Sequence, residues 1–189
     1  MKTKFRFTGR GGQGIKFLGS ALVKVAMVAN FEATLSVDYT PSVRGGPIFC
    51  DVILSTEKIA YPFCDGDADY FIAIDQNGFE RACECVCTKT ISFIDSNTVS
   101  KPETVIKSGK IFRVPLTKKA DELNLTKSTN ILSLGFLSEY LLNNKSTEHV
   151  SVELKEEHYM AGFNEMPVRF RETNKNTFIL GKKLYHEIF

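Results

Sequence analysis

The sequence predicts an α/β fold: a mostly parallel β-sheet with helices packed on it and one β-hairpin element. Three observations predict it. Short apolar or alternating runs of strand length recur at residues 4–8, 33–37, 48–54, 70–74, 90–94 and 110–114. Several of the stretches between them repeat apolar residues at i, i+3, i+4 and i+7, the helical period. The first strand also passes through a glycine turn directly into a helix, the opening of a nucleotide-type α/β unit.

The elements follow in order. Lys4 to Thr8 alternates as a strand. Gly9-Arg10-Gly11-Gly12-Gln13-Gly14 then opens a helix from Ile15 to Asn30, with Leu18, Ala21, Leu22, Val25 and Ala29 on one face and Gly19 suited to close packing. Ala33 to Val37 reads as the second strand, closed by Asp38. Tyr39-Thr40-Pro41-Ser42-Val43-Arg44-Gly45-Gly46-Pro47 is a loop, and long ordered loops tend to carry function. Ile48 to Leu54 is a strong strand, for which Lys58 to Pro62 offers a hairpin partner across Ser55-Thr56-Glu57. Tyr70 to Ile74 is apolar throughout, as in a strand buried on both faces. Phe79 to Cys85 is helical, and Thr90 to Ile94 and Lys110 to Val114 are further strands. Leu116 to Leu123 and Ile131 to Leu142 are helices, the latter with Ile131, Leu134, Leu137, Leu141 and Leu142 on its apolar face. From about residue 145 the pattern weakens to a helix near Glu153 to Phe163 and a polar segment around Asn174-Lys175-Asn176. There is no internal repeat and no linker, so residues 1–189 read as one domain.

Composition removes several function classes. A net charge of +2, spread without a basic stripe, gives no footprint for nucleic acid. No apolar run approaches membrane-spanning length. The opening Met1-Lys2-Thr3-Lys4-Phe5 begins a strand rather than a signal peptide, so the expected location is cytoplasmic. The five cysteines, Cys50, Cys64, Cys83, Cys85 and Cys87, read as free thiols in a reducing compartment. Their spacing contains no Cys-x-x-Cys pair, which argues against an iron–sulfur or zinc site on this chain alone. Asp65-Gly66-Asp67-Ala68-Asp69 departs from the calcium-loop pattern at Tyr70 and Gln76 and reads as a solvated turn. His149, His158 and His186 stand near no nucleophile or carboxylate pair. No catalytic residue and no metal ligand is therefore assigned.

What the chain does carry is a candidate anion cradle. Gly9, Gly11 and Gly14 form a G-x-G-x-x-G turn between a strand and a helix. The free amides of the first helical turn and the helix dipole favour a negative group there. Asp38 ends the second strand near where a dinucleotide enzyme holds ribose, so a stand-alone NAD(P)-binding enzyme is one reading. Asp38 falls late for that role, and a Pro/Gly loop follows where a nucleotide half-domain places a helix. Arg44-Gly45-Gly46 forms a second glycine cluster with a guanidinium suited to phosphate or carboxylate. Arg10, Gln13 and Arg44 are expected to converge on one anion. The alternatives are glycines used only for packing, and an Arg44 paired with a structural carboxylate or a partner chain.

The combination of these turns resembles a known family. Gly-Arg-Gly-Gly-Gln-Gly after the first strand, Tyr39 to Pro47, and Asp51-Val52-Ile53-Leu54-Ser55 are similar to the gamma subunit, or gamma domain, of 2-oxoacid:ferredoxin oxidoreductases. Tyr61-Pro62, Ala68-Asp69, Asp95-Ser96, Val114-Pro115 and Asn130 with Leu134-Gly135 agree. The likeness covers roughly residues 4–142 and is loose beyond them. It implies a Rossmann-like three-layer fold, a pyruvate/ketoisovalerate oxidoreductase gamma-type domain. It also implies a non-catalytic subunit, inactive alone, of an enzyme converting a 2-oxoacid, coenzyme A and oxidised ferredoxin or flavodoxin to acyl-CoA, carbon dioxide and reduced carrier. The Tyr-x-Pro-x-x-Arg-Gly-Gly form points to 2-oxoglutarate, although Thr40 stands where many relatives carry glycine. The implied partners are alpha, beta and ferredoxin-like delta subunits. Those chains would hold thiamine diphosphate, magnesium and iron–sulfur clusters, and this chain alone would hold no resident cofactor. By the same resemblance, Gly9, Gly11, Gly12, Gln13 and Gly14 of the first loop and Arg44, Gly45 and Gly46 of the second, with Arg10, contribute contacts to coenzyme A or to a neighbouring subunit. A purely structural subunit is the remaining alternative.

Overall fold

In the computed structural model, which describes residues 2–39, 45–144 and 152–189, alternation along the strands divides the interior into two cores. The strands are β1 (Lys2–Arg10), β2 (Glu32–Tyr39), β3 (Pro47–Ser55), β4 (Tyr70–Ala73), β5 (Ile91–Asp95) and β6 (Lys110–Val114). They form one sheet in the order β2-β3-β1-β4-β5-β6. The helices are α1 (Ile15–Val28), α2 (Gln76–Ala82), α3 (Leu116–Glu122), α4 (Thr129–Asn143), α5 (Glu156–Asn164) and α6 (Val168–Ile188). Cys50, Val52 and Leu54 of β3 and Tyr70 and Ile72 of β4 face the larger core, with residues of α1, α3, α4, α5 and α6. Ile53, Phe71 and Ala73 face the smaller core, under α2 and the irregular segment through Cys64 and Ala68. The sheet thus lies between two helical layers, and only β3 runs against the other strands.

The hairpin element exists, but its partner differs from the sequence expectation. β3 pairs with β2, from Glu32 opposite Ser55 to Tyr39 opposite Ile48. Its other edge pairs with β1, from Lys2 opposite Ser55 to Arg10 opposite Pro47. A strand has two edges, and both edges of β3 are taken. Residues 58–62 consequently form no strand, and the chain after them crosses the α2 face of the sheet. The same order separates the first two strands, because β3 lies between β1 and β2.

That crossing segment is tied to a buried ion pair. Arg6 and Asp51 stand directly opposite each other on β1 and β3. Arg6 donates from Nε to Asp51 Oδ1 at 2.7 Å and from Nη2 to Asp51 Oδ2 at 2.9 Å. Arg6 Nη2 also donates to the Cys64 carbonyl, and the Cys64 amide donates to Asp51 Oδ2. Glu84 accepts from Arg6 Nη1, and the Phe49 ring lies 4.3 Å from the guanidinium carbon. Burial works against the charged guanidinium, but its hydrogen bonds to Asp51 and the surrounding charges outweigh that and hold its pKa above the ordinary arginine value.

The C-terminal region is more regular than its hydropathy suggests. The polar segment at 174–176 lies inside α6, a helix of 21 residues. Its inward face is Asn174, Thr177, Phe178, Gly181, Leu184 and Tyr185, so polar and glycine positions interrupt the apolar period. Gly181 crosses α4 at Gly135, where a Cβ on Gly181 would stand 2.1 Å from the Leu132 carbonyl oxygen. Packing of two backbones, rather than an apolar stripe, defines this helix pair.

Asp51→Ala would leave the Arg6 guanidinium buried without its main partner. The expected loss of stability is about 3–5 kcal/mol, the usual cost of stranding one partner of a buried pair. Urea unfolding of this chain, followed by circular dichroism, checks it.

Candidate functional site

The first glycine turn forms where β1 ends beside the start of β3. The Gly11 amide donates to the Gly46 carbonyl at 2.8 Å, extending the ladder by one rung and bringing the two glycine clusters together. A Cβ on Gly11 would stand 3.2 Å from the Gly45 Cα. Gly12 and Gly14 turn the chain into α1 at φ 97° and 74°, a region that L side chains rarely adopt. Gly9 lies against α2, where a Cβ on Gly78 would meet the Gly9 backbone at 2.5 Å.

Gln13 is turned inward. Its Oε1 accepts from the Arg10 amide at 2.7 Å and its Nε2 donates to the Ile74 carbonyl at 3.4 Å. The Gln13 amide donates to the Arg10 carbonyl, so backbone and side chain together close the turn. This glutamine shapes the turn rather than facing out of it.

The turn leaves α1 uncapped. Gly14 precedes the helix without a side-chain cap, and no acidic residue lies in the first turn. Among the described residues, the Ile15, Lys16 and Phe17 amides have no hydrogen-bond acceptor. In front of them is a cleft of about 450 Å³ lined by Arg10, Gly12, Gly14, Ile15, Lys16, Phe17, Ser20 and Ile48. Lys16 is exposed. A cation in the first turn opposes the helix dipole and costs a few tenths of a kcal/mol to ~1 kcal/mol. Three open amides and two cations at one helix start form a fitting cradle for a phosphate-bearing ligand. Phe17 and Ile48 give it an apolar wall. Asp75 lies near, with its Oδ2 4.0 Å from Arg10 Nε, but its other oxygen is engaged in capping α2 through the Asn77 and Gly78 amides.

Of the residues expected from sequence, Arg10, Gly12 and Gly14 line the cleft, while Gly9, Gly11, Gln13, Gly45 and Gly46 build the turn behind it. Arg44 lies outside the described residues, as does His149. Lys16, Phe17, Ser20 and Ile48 were not anticipated. A signal for Lys16 and Ser20 was present, since they stand four apart on one face of α1 just past the turn.

Asp38 is placed elsewhere. It lies on edge strand β2, opposite Phe49, which packs on the smaller core. Arg81 of α2 binds it at 3.0 Å. It therefore faces the α2 side of the sheet while α1 packs on the other. This takes the ribose-binding acid away from the glycine turn and removes the basis of the NAD(P) reading.

The cysteines are all free. Burial pushes the thiol pKa values of Cys50 and Cys64 upward and that of Cys85 up to about 12. His158 serves as a local cap, its Nδ1 accepting from the Lys155 amide, and His186 pairs with Glu139 at 2.9 Å. No helix among the described residues is long and apolar enough to cross a membrane.

These features define a class: a Rossmann-like α/β protein whose first helix starts from a glycine turn with open amides facing a cleft. The chain belongs to the family described as pyruvate ferredoxin/flavodoxin oxidoreductase, whose profile matches residues 4–181. It is 27% identical over 190 residues to the 2-oxoglutarate synthase subunit KorC of Methanocaldococcus jannaschii, covering all of this chain and 96% of that one. Its fold matches the gamma subunit of a keto/oxoacid ferredoxin oxidoreductase from Geobacter sulfurreducens with a TM-score of 0.78 and 20% identity, over 100% of this chain and 98% of the other. It also matches a 2-oxoglutarate:ferredoxin oxidoreductase from Magnetococcus marinus, solved with 2-oxoglutarate, coenzyme A and succinyl-CoA, with a TM-score of 0.80 and 20% identity, over 100% of this chain and 32% of that one.

Thiol accessibility gives a direct check. Iodoacetamide on the folded chain is expected to label the half-buried Cys83 and Cys87 and to spare Cys50, Cys64 and Cys85 until denaturant is added, as read by peptide mass spectrometry.

Proposed function

We propose that this chain is the gamma subunit of a 2-oxoglutarate:ferredoxin oxidoreductase and that its α1 cradle binds a phosphate group of coenzyme A. The observation that carries the reading is the set of acceptor-free amides of Ile15, Lys16 and Phe17, with Arg10 and Lys16 beside them. The relatives supply the substrate: those matching at full length are named for 2-oxoglutarate synthase. In this reading the alpha, beta and ferredoxin-like delta subunits hold thiamine diphosphate, magnesium and the iron–sulfur clusters and perform the redox chemistry, and ferredoxin or flavodoxin takes the electrons.

The chain's own residues then bind and orient. The first-turn amides donate to the phosphate oxygens, and Arg10 and Lys16 offset its charge. Helix polarity supplies only ~0.3–1 kcal/mol, so the two cations provide most of the hold, at about 1.5–3 kcal/mol for each charge-assisted hydrogen bond. Gln13 and the glycines keep the turn in shape. The Phe17 and Ile48 wall fits the apolar parts of a nucleotide-bearing ligand. Arg44, which follows in the second loop, is assigned the same ligand from its place two residues before Gly46.

Arg10→Ala and Lys16→Ala in the assembled enzyme are each expected to raise KM for coenzyme A by roughly tenfold or more, one lost charge-assisted contact, without raising KM for the 2-oxoacid. Steady-state reduction of ferredoxin or a viologen dye measures both. Unchanged coenzyme A dependence in both variants would favour a structural role for the glycine turns, and activity of the chain without its partners would overturn the division of labour.

A further inference from the structure

We propose that Asn130 is a positioning residue for the cradle: by holding the Gly14 carbonyl from α4 it sets the direction of the α1 amides that meet the anion. This rests on the reading of the cradle as a coenzyme A site, but it concerns a residue that does not line the cleft.

The Gly14 carbonyl accepts two hydrogen bonds, from the Leu18 amide at 2.9 Å and from Asn130 Nδ2 at 3.0 Å. That carbonyl and the Ile15 N–H belong to one planar trans peptide, so they point in opposite directions. Fixing the carbonyl toward α4 and into the first helical turn therefore fixes where the Ile15 N–H points. Ile15 lines the cleft, and its amide is free of any acceptor among the described residues.

Asn130 is committed to this contact. It is 4% exposed, and its Oδ1 is buried with no hydrogen-bond partner. A buried amide that leaves its own oxygen unmet is held there by what its nitrogen does. The side chain lies at the second residue of α4 and reaches to a residue 116 positions earlier. Gly14 is matched to it, since a Cβ there would stand 2.4 Å from Asn130 Nδ2. Glycine at this position thus meets a positive φ and a close approach together.

The test uses the assembled enzyme and reads KM for coenzyme A and for the 2-oxoacid across pH. Asn130→Asp is nearly isosteric. Its ionised carboxylate repels the Gly14 carbonyl, whereas its protonated form donates to it, and burial raises the pH at which it ionises. KM for coenzyme A in this variant is expected to exceed wild type by roughly tenfold at alkaline pH and to return toward wild type as pH falls, the signature of one regained hydrogen bond. Asn130→Ala, which adds neither charge nor bulk and covers the case in which the first variant does not assemble, is expected to raise the same KM by about fivefold at every pH. The 2-oxoacid KM should stay at the wild-type value in both. Wild-type coenzyme A dependence at all pH values in either variant, or a parallel rise of both KM values, overturns the proposal. Arg10→Ala and Lys16→Ala separate the two levels. If they raise KM for coenzyme A while the Asn130 variants do not, the positioning role alone fails. If they too leave it unchanged, the coenzyme A site fails and the positioning role with it.

Discussion

The register between β1 and β3 is the constraint on which the site depends, and the Arg6–Asp51 pair enforces it. A one-residue slip of either strand would carry its charge onto the opposite face, into the apolar core beneath α1, and leave the other charge buried without its partner. Desolvation makes that slip far more costly than the loss of one ladder rung. With Arg6 opposite Asp51, Arg10 falls opposite Pro47 and the Gly11 amide meets the Gly46 carbonyl. The two glycine turns therefore adjoin because of an ion pair several residues away in the middle of the sheet. The same pair recruits the Cys64 backbone, which explains why the chain after β3 crosses the smaller core instead of adding a strand.

Much of this fold was legible from periodicity. β4, β5, β6, α2, α3 and α4 lie close to where apolar runs and helical spacing put them, because each buries its apolar residues against one neighbour or two. The pairing of β3 was not legible. Its run of apolar residues marks a strand buried on both faces but carries no sign of which strands occupy its edges. α6 was missed for a different reason: it docks through Gly181 on Gly135 and buries Asn174 and Thr177, so its hydropathy has no helical stripe. In the site, the strand–turn–helix context marked the glycine turn at which the open amides of α1 lie. The outward glutamine was not foreseen as an inward one, because only the folded turn brings Gln13 Oε1 to the Arg10 amide and Nε2 to the Ile74 carbonyl.

Strand order also decides between nucleotide readings. In a dinucleotide-binding unit the acid that ends the second strand can reach the ribose because that strand neighbours the first. Here the inserted antiparallel β3 moves β2 to the sheet edge, and the pleat turns Asp38 toward Arg81. The glycine turn keeps its open helix start but lacks the neighbouring acid that would recognise a ribose diol. Lys16 reinforces the distinction. Placed against the dipole, it gains from the site only when an anion is present, whereas an uncharged residue would serve a turn built for packing alone.

The C-terminal helices gain a role from the same geometry. α4 touches the cradle through Asn130 and is itself fixed by the close crossing with α6. A backbone-to-backbone contact between Gly135 and Gly181 leaves little freedom to slide, since any shift brings the Phe178 or Leu132 carbonyl into a helix that has no slack. The direction of the α1 amides is therefore referenced to the helical layer as well as to the sheet. Two independent frames, the Arg6–Asp51 register on one side and the α4–α6 crossing on the other, meet at Gly14. A cradle whose donors are main-chain amides needs such bracing, because its specificity resides in the angle of peptide planes that no side-chain rotamer can readjust.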